Sequence, residues 1–486
     1  MLKLYNLIPN EVIKQYKINN IFIKGITCDS RKIKKGYIFA AFHGVQDTGT
    51  NYINEAIYKG AVAILIHKKD YKNISNINNI EIIPLVLPRK LYSVICNKFS
   101  KYNFKNIVGV TGTNGKTSVA WFVNSLTKFS GVKSASIGTL GIHHKSITRN
   151  NNLTTPESEL IVSHLNQLYS KKVENIIIEA SSHGLDQYRL DGVSFNIVAI
   201  TSFTRDHLDY HKSFNNYKKA KLRLFSEVVN KKGTAIINEN IPHYKDFIKT
   251  SKSNNLKVIT IGKSSFSNWK YSKINTYKNN QTIELIYKNK KTIIFSKLIG
   301  DFQINNLITA IAIMVEMGFK REKIEKFIHK LKAPPGRLQF IKNKNGADIY
   351  VDYAHTPDAL ENVLLSLRPY VKNKLHLVFG CGGNRDIGKR EKMGTIANKY
   401  ADNIIITDDN PRYEDAKSIR YQIIKSCPNG IEIADRLKAI AIAINNLKKG
   451  DVLLVAGKGH ENIQEIKGNF LDFNDAKIIK KLLARS

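Results

Sequence analysis

The stretch GVTGTNGKTS, residues 109–118, decides how the rest of the chain is read. It follows the apolar run NIVGV and precedes SVAWFVNSLTKF, whose apolar positions repeat with helical spacing. Strand, glycine-rich turn and helix in that order make a phosphate cradle. The glycines let backbone N–H groups face an anion, and the helix N-terminus adds a favourable dipole. The strict P-loop pattern wants glycine at position 110, where this chain has Val110. What remains is Thr111, Gly112, Thr113, Asn114, Gly115, Lys116 and Thr117. Lys116 has the reach for β- and γ-phosphates, and the Thr117 hydroxyl suits Mg²⁺. These residues are the expected ATP site. ATP raises a second question, because a motor, a kinase and a ligase send its phosphate to different places.

The chain has 486 residues, too many for one ordinary core, so two or three domains are expected. No apolar run approaches the ~20 residues that span a bilayer, and the first residues lack the pattern of a signal peptide. Cys28, Cys96, Cys381 and Cys427 are scattered without metal or redox spacing, which fits a reducing cytoplasm. The net charge of +36 raises a nucleic-acid partner. Its lysines and arginines are spread rather than blocked, and no aromatics interleave with them as in a single-strand binder. Compositional drift is the preferred reading, with no specific nucleic acid expected.

Strands alternate with helical patterns along most of the chain, which predicts α/β architecture with parallel sheets. Three domains are expected: 1–100, with short strands AAF, AVAILI and IIPLVL; 101–334, with NIVGV, NIIIEA, FNIVAITS and GTAIIN; and 335–486, with IYVDYA, LHLVFG, NIIITDD and DVLLVAG. The break KAPPGR separates the last two. Segment 262–297 reads as a β excursion with polar turns. After VDYA, Thr356 caps a helix, Pro357 and Asp358 suit its first turn, and Leu360, Val363, Leu364 and Leu367 form its apolar face. Metal-bound nucleotide wants a carboxylate at the end of a neighbouring strand. Glu179 in NIIIEASSHGLDQYR and His207 in TSFTRDHLDYH both follow strands, where ligands bind in open parallel sheets.

GVTGTNGKTS, EASSHGL, TSFTRDHLDYH and YKKAKLRLF together resemble the Mur ligases, ATP-dependent amide-bond ligases of peptidoglycan precursor synthesis. The resemblance runs from TCDSR near residue 27 to AGKGHE near 457. It implies an N-terminal UDP-binding domain, a central P-loop-type ATPase domain and a C-terminal Rossmann-like domain for the incoming amino acid. It also implies that ATP phosphorylates a substrate carboxylate, that an amine attacks the acyl phosphate, and that catalysis is positioning plus charge neutralisation. Lys116, Glu179, His207 and Lys221 match catalytic positions. Thr117 and Glu179 match ligands of one Mg²⁺; Glu179, His207 and Lys221, the last as a carbamate, match the second site. An unmodified Lys221 would put positive charge beside a metal. Asn306, Arg337, Asp352 and His355 match residues around the nucleotide, and Gln303 stands where the family usually has Asn.

For the acid, the resemblance implies a UDP-muramoyl dipeptide. Cys28 and Ser30 in TCDSR, and Val45, Gln46 and Asp47 in GVQDTG, match uridine diphosphate loops. Thr154 and Thr155, Ser181, Gln187 and Arg189 match contacts to the dipeptide, as does Leu153, which replaces a frequent Asn. For the amine, Asp409, Asn410, Pro411 and Arg412 form the motif of the members that add meso-diaminopimelate. Arg412 can grip the distal carboxylate that lysine lacks through two parallel hydrogen bonds, and such a site rejects lysine because its Arg would be left unpaired. Arg385, Gly457 and Glu461 match the remaining contacts. A monomer is the default expectation. Rival readings are a lysine-adding ligase, a folate polyglutamate ligase that shares the cradle, a nucleic-acid-dependent NTPase and a non-catalytic descendant.

Overall fold

The computed structural model describes residues 1–485 except 45–47, 75–76, 78, 145–146, 150–152, 278–279 and 343–344. Three sheets with parallel strands at their centres carry the architecture. The first has four strands in the order Gly25–Thr27, Tyr37–Ala40, Ala61–His67 and Glu81–Leu85. The run AAF was expected to be a strand, but the strand is displaced to Tyr37–Ala40 and ends as the chain turns toward the loop after Ala41. Pro84 sits within the last strand, which is possible because that strand is an edge and owes no N–H to an outer neighbour.

The central sheet has eleven strands. Its parallel middle runs Ser134–Gly138, Asn175–Glu179, Asn106–Thr111, Phe195–Ile200, Val229–Asn238 and Lys257–Gly262. The cradle strand Asn106–Thr111 lies inside it and is buried along its whole length. A strand covered on both faces must be apolar throughout, which is why NIVGV shows no alternation. Separate apolar clusters pack on the two faces, one built on Val119, Phe122 and Leu307, the other on Leu165, Leu190 and Phe225. The β excursion is present as an antiparallel ribbon of Trp269–Tyr277, Asn280–Tyr287 and Lys290–Ser296 that extends the same sheet.

The third sheet orders Gln339–Lys342, Asp348–Asp352, Val452–Ala456, Leu375–Phe379, Asn403–Ile406 and Gly430–Glu432, parallel except for its first strand. The helix Pro357–Leu367 forms as the sequence dictates: Thr356 Oγ1 accepts from Ala359 N at 3.4 Å, and Leu360, Val363, Leu364 and Leu367 are its buried residues. In both large sheets the residues of chemical interest leave the carboxyl ends of parallel strands. Glu179 ends one strand, the cradle follows another, and Thr407 to Arg412 follow a third.

Candidate active site

The cradle turns out of its strand and into the helix Lys116–Phe129. Gly115 precedes that helix at φ 88°, the left-handed region, and a Cβ there would collide with Asn306 Oδ1. The loop is fixed from the side by the next strand end. Thr113 N donates to Ser202 O at 2.9 Å, and the Thr201 and Ser202 hydroxyls donate to Asn114 O at 2.5 and 3.0 Å. Lys116 Nζ donates to Gly112 O at 2.7 Å and Thr113 O at 2.9 Å, so the ammonium folds over the mouth of its own loop. Burial lowers its pKa, opposed by Glu179 and Asp206.

Behind the lysine is a knot of oxygens. Thr117 Oγ1 donates to Glu179 Oε2 at 2.9 Å. Thr139 donates to the same carboxylate twice, from N to Oε1 at 3.0 Å and from Oγ1 to Oε2 at 2.9 Å. Glu179 is 2% exposed, so the carboxylate depends on these donors for its solvation. Thr139 was not singled out from the sequence, although it follows the strand Ser134–Gly138 directly and the strand-end rule that selected Glu179 selects it as well. A hydroxyl and a carboxylate side by side form a hard, oxygen-only donor pair. That pair fits Mg²⁺, which takes one or two protein oxygens and keeps several waters.

His207 has φ 53° and sits at the head of the short helix Leu208–His211. Its Nε2 lies 3.4 Å from Asp206 Oδ2, and burial pushes its pKa down to about 4 against the pull of that carboxylate. Asp206, inside TSFTRDHLDYH, also belongs to the site. Burial raises its pKa, but His207, His355 and Lys116 outweigh this and hold it below the usual carboxylate value. Lys221 lies on the helix Phe214–Arg223, 1% exposed, with its Nζ 4.6 Å from the Tyr217 ring centre. No ion pair reaches it among the described residues. Burial first and Lys116 second drive its pKa well below the normal lysine value.

The nucleotide-sized cleft, of about 380 Å³, is closed by the third sheet. Thr113 to Thr117 and Asn306 face Arg337, Asp352 and His355 across it, and the wall also includes Thr139, Asn240 and Tyr353. Thr111 and Gly112 are not on its lining. The Arg337 guanidinium lies over Tyr353, its carbon 4.4 Å from the ring centre. Asp352 accepts from Leu338 N at 2.6 Å and Ala354 N at 2.7 Å, and burial raises its pKa to about 6. Gln303 accepts from Asn306 Nδ2 at 3.3 Å, so its carbonyl fills the role of partner to Asn306.

A second cleft, of about 290 Å³, adjoins the first and shares Asp206, His207, Tyr353, His355 and Asp358 with it. Its far end combines both signs of charge: Arg385 and Arg412 with Asp409 and Glu461, beside Asn410 and Gly457. The loop Thr407 to Arg412 is stapled to the hairpin Ile463–Ile466 and Asn469–Asp472. Arg412 N donates to Glu465 O at 3.1 Å, Lys467 N to Arg412 O at 2.7 Å, and Arg412 Nε to Glu465 Oε2 at 3.1 Å. Arg412 Nη1 donates to Gly383 O at 2.8 Å, leaving Nη2 as its unused edge among the described residues. Gly457 has φ 109°, and a Cβ there would stand 2.7 Å from Asp409 Oδ2. Pro411 is buried in the turn.

The residues expected at the acid substrate are only partly gathered. Thr154 lines the nucleotide cleft, with Oγ1 3.1 Å from Thr139 Oγ1. Thr155 Oγ1 donates to Glu179 O at 2.7 Å and accepts from Ser181 N at 2.9 Å, so its hydroxyl is committed to the scaffold. Ser181 caps the helix Ser182–Asp186. Arg189 donates to Thr155 O at 2.8 Å and Gln187 Oε1 at 2.6 Å, and pairs with Glu157 at 3.0 Å. Leu153 is exposed. Cys28 and Ser30 line neither cleft; the Cys28 thiol accepts from Tyr92 OH at 3.6 Å, and Ser30 Oγ donates to Glu55 Oε2 at 2.7 Å. Val45, Gln46 and Asp47 lie outside the described residues.

Known proteins match nearly the whole chain. Residues 110–314 match the Mur ligase middle domain, 336–459 the Mur ligase glutamate ligase domain, and 22–99 the Mur ligase family catalytic domain. The chain belongs to the Mur ligase family. Within that family it is 38% identical over 473 residues to a UDP-N-acetylmuramoyl-L-alanyl-D-glutamate–2,6-diaminopimelate ligase of Agrobacterium fabrum, covering 96% of this chain and 94% of that protein. It is 36% identical to the ligase of the same name from Bradyrhizobium diazoefficiens, covering 99% of each. A solved structure of a ligase of that name superposes with a TM-score of 0.69 at 31% identity over 95% of each chain. A folylpolyglutamate synthase of Mycobacterium tuberculosis, at 14% identity and TM-score 0.63 over 76% of this chain and 92% of that one, shares the Mur ligase fold.

Proposed function

We infer that the chain is an ADP-forming ligase that joins meso-2,6-diaminopimelate to UDP-N-acetylmuramoyl-L-alanyl-D-glutamate in peptidoglycan precursor synthesis. The observation that carries this reading is the shared wall between a nucleotide cleft and a cleft of mixed charge. A ligase must make an activated acid beside the nucleotide and present an amine to it. Adjoining clefts do this by placement alone. We take residues 1–100, 101–334 and 335–486 as the domains for the UDP end, ATP and the amine.

In the first step the acid's carboxylate oxygen attacks the γ-phosphorus of ATP, giving ADP and an acyl phosphate. In the second the amine attacks the acyl carbon, loses a proton, and phosphate leaves. Lys116 exchanges its two loop carbonyls for phosphate oxygens, and Arg337, seated over Tyr353, supplies charge from the opposite wall. Thr117 and Glu179 would hold one Mg²⁺, and Glu179 with His207 and a carbamate on Lys221 the second. When bound, the ions neutralise charge as it moves between phosphates and acid. Lys221 is suited to carbamylation because burial lowers its pKa and so favours the neutral amine, the form that adds to carbon dioxide. Thr154, Arg189 and Gln187 stand on the acid's side. Arg412 and Arg385 are assigned to the distal carboxylate of diaminopimelate, and Asp409 and Glu461 to its ammonium. A lysine-adding reading would leave Arg385 and the Nη2 edge of Arg412 without the carboxylate assigned to them.

Among the described residues, no helix is long and apolar enough to cross a membrane. We place the chain in the cytoplasm as a monomer and assign no nucleic-acid role to its +36 charge. The test is ADP release by the purified protein with Mg²⁺ and ATP. Turnover that requires both the UDP-muramoyl dipeptide and diaminopimelate, and ignores added RNA or DNA, supports the reading. Nucleic-acid-dependent turnover replaces it with the motor.

A further inference from the structure

The motif AGKGHE contains a lysine that the reading above leaves without a task. Lys458 is 0% exposed, yet it lies one residue from Gly457 and three from Glu461 at the edge of the amine cleft. Its ammonium has three protons and meets three acceptors: Asn410 Oδ1 at 2.9 Å, Glu461 Oε2 at 3.1 Å and Ile463 O at 2.7 Å. A buried cation with every proton placed in this way has no capacity left to bind a ligand. It can only hold other groups in position.

Two of the groups it holds are assigned to the amine site. Asn410 Oδ1 accepts from both Lys458 Nζ and Glu465 N, the latter at 3.0 Å. Two donors on one side of the amide force its Nδ2 to the other, where it donates to Glu461 Oε2 at 2.9 Å. Glu461 Oε2 therefore receives two donors. Its Oε1 receives none from the described residues, and Glu461 lines the mixed-charge cleft with Arg385 and Arg412. The carboxylate has one oxygen tied to the protein and one left for a ligand.

We propose that Lys458 is a positioning residue for amine recognition: it fixes Asn410 and Glu461 so that Glu461 Oε1 faces the distal ammonium of the incoming diamino acid. The proposal rests on the amine-site reading above. Lys458 touches no substrate and acts through Glu461. Its loss weakens binding of a remote part of the amine in ground state and transition state alike, which raises KM for that substrate alone.

The experiment measures steady-state ADP release for the full-length protein, with diaminopimelate, ATP and the UDP-muramoyl dipeptide varied in turn. It compares wild type, Lys458→Met, Glu461→Gln and the double variant. At metal sites, removing the outer partner of a ligand commonly costs about 10- to 100-fold, and the same scale is expected for the partner of Glu461. KM for diaminopimelate should rise by that factor in Lys458→Met while kcat and the other two KM values stay within about twofold. If Lys458 acts through Glu461, the double variant is little worse than Glu461→Gln. Additive losses, an unchanged KM for diaminopimelate, or a general fall in kcat and all affinities would each overturn the proposal. Should Lys458→Met fail to bind ADP, Lys458→Gln, which keeps a donor for Asn410, is read by the same criteria. Loss of ADP binding in both overturns the proposal in favour of a purely structural lysine. Absence of diaminopimelate-dependent turnover in wild type would instead sink the reading on which the proposal rests.

Discussion

A single methyl group at Gly138 should disable the site without touching any residue assigned to a substrate. Gly138 ends the strand beside Glu179, and a Cβ there would lie 2.5 Å from Glu179 Cγ and closer still to the carboxylate. Ordinary contact needs about 3.4 Å, so the side chain must retreat by roughly an ångström, a displacement that can cost ~10²-fold in rate at a catalytic group. The hydrogen bonds give an independent figure. Glu179 is held by Thr117 Oγ1, Thr139 N and Thr139 Oγ1 at 2.9, 3.0 and 2.9 Å. Hydrogen bonds to a charged group contribute about 1.5–3 kcal/mol each, so losing one or two costs around 3 kcal/mol, again ~10²-fold. Gly138→Ala should therefore lower kcat about a hundredfold and raise the Mg²⁺ concentration needed for half-maximal ADP release. Thr139→Val removes one of the three bonds and should cost about tenfold. Thermal melting of both variants reports on the fold. Gly138→Ala turnover within threefold of wild type, with the melt unchanged, would refute the claim that this knot of oxygens sets the rate.

Arg412→Ala should lose about 2–5 kcal/mol in kcat/KM for diaminopimelate while turnover with lysine, already poor, changes little; equal losses with both amines would remove Arg412 from the selection of the carboxylate. Lys221→Met should abolish most turnover, and wild-type activity should fall when carbon dioxide and bicarbonate are stripped from the assay and return when they are restored; indifference to both would rule out the carbamate. Burial pushes the pKa of His183 down to about 4 and of His460 to about 3, below the ordinary imidazole value of 6.5. The unfolded chain then takes up protons first as pH falls, so stability is full above pH 6.5 and declines toward pH 4. Asp352 has the opposite sign, because burial raises its pKa to about 6 and the folded form holds its proton more tightly. Urea midpoints should fall between pH 6.5 and 4, and fall more steeply in Asp352→Asn.

How much of this was legible depended on the range of the interaction. The cradle, its helix and the cap of Pro357–Leu367 are written in adjacent residues, and the structure places them accordingly. The apolar run NIVGV identifies a buried parallel strand because both its faces are covered. What eluded the sequence lies in contacts between distant segments. Thr139 acquires its role from a carboxylate forty residues later, and Asp206 from Lys116 and His355, which belong to other loops. Lys458 resembles any surface lysine in a chain rich in them until the fold encloses it on all sides. The uridine loops were the least informative stretch: short turns carry little pattern, Ser30 and Cys28 spend their side chains on Glu55 and Tyr92, and Val45 to Asp47 lie outside the described residues.

The most direct test of the ligase assignment is the mass of the product formed from ATP, the UDP-muramoyl dipeptide and an equimolar mixture of diaminopimelate and lysine. One new species should form in step with ADP, with the summed mass of the dipeptide and diaminopimelate less one water. A lysine adduct in comparable amount would contradict the assigned pocket, and ADP without any adduct would contradict the ligase itself.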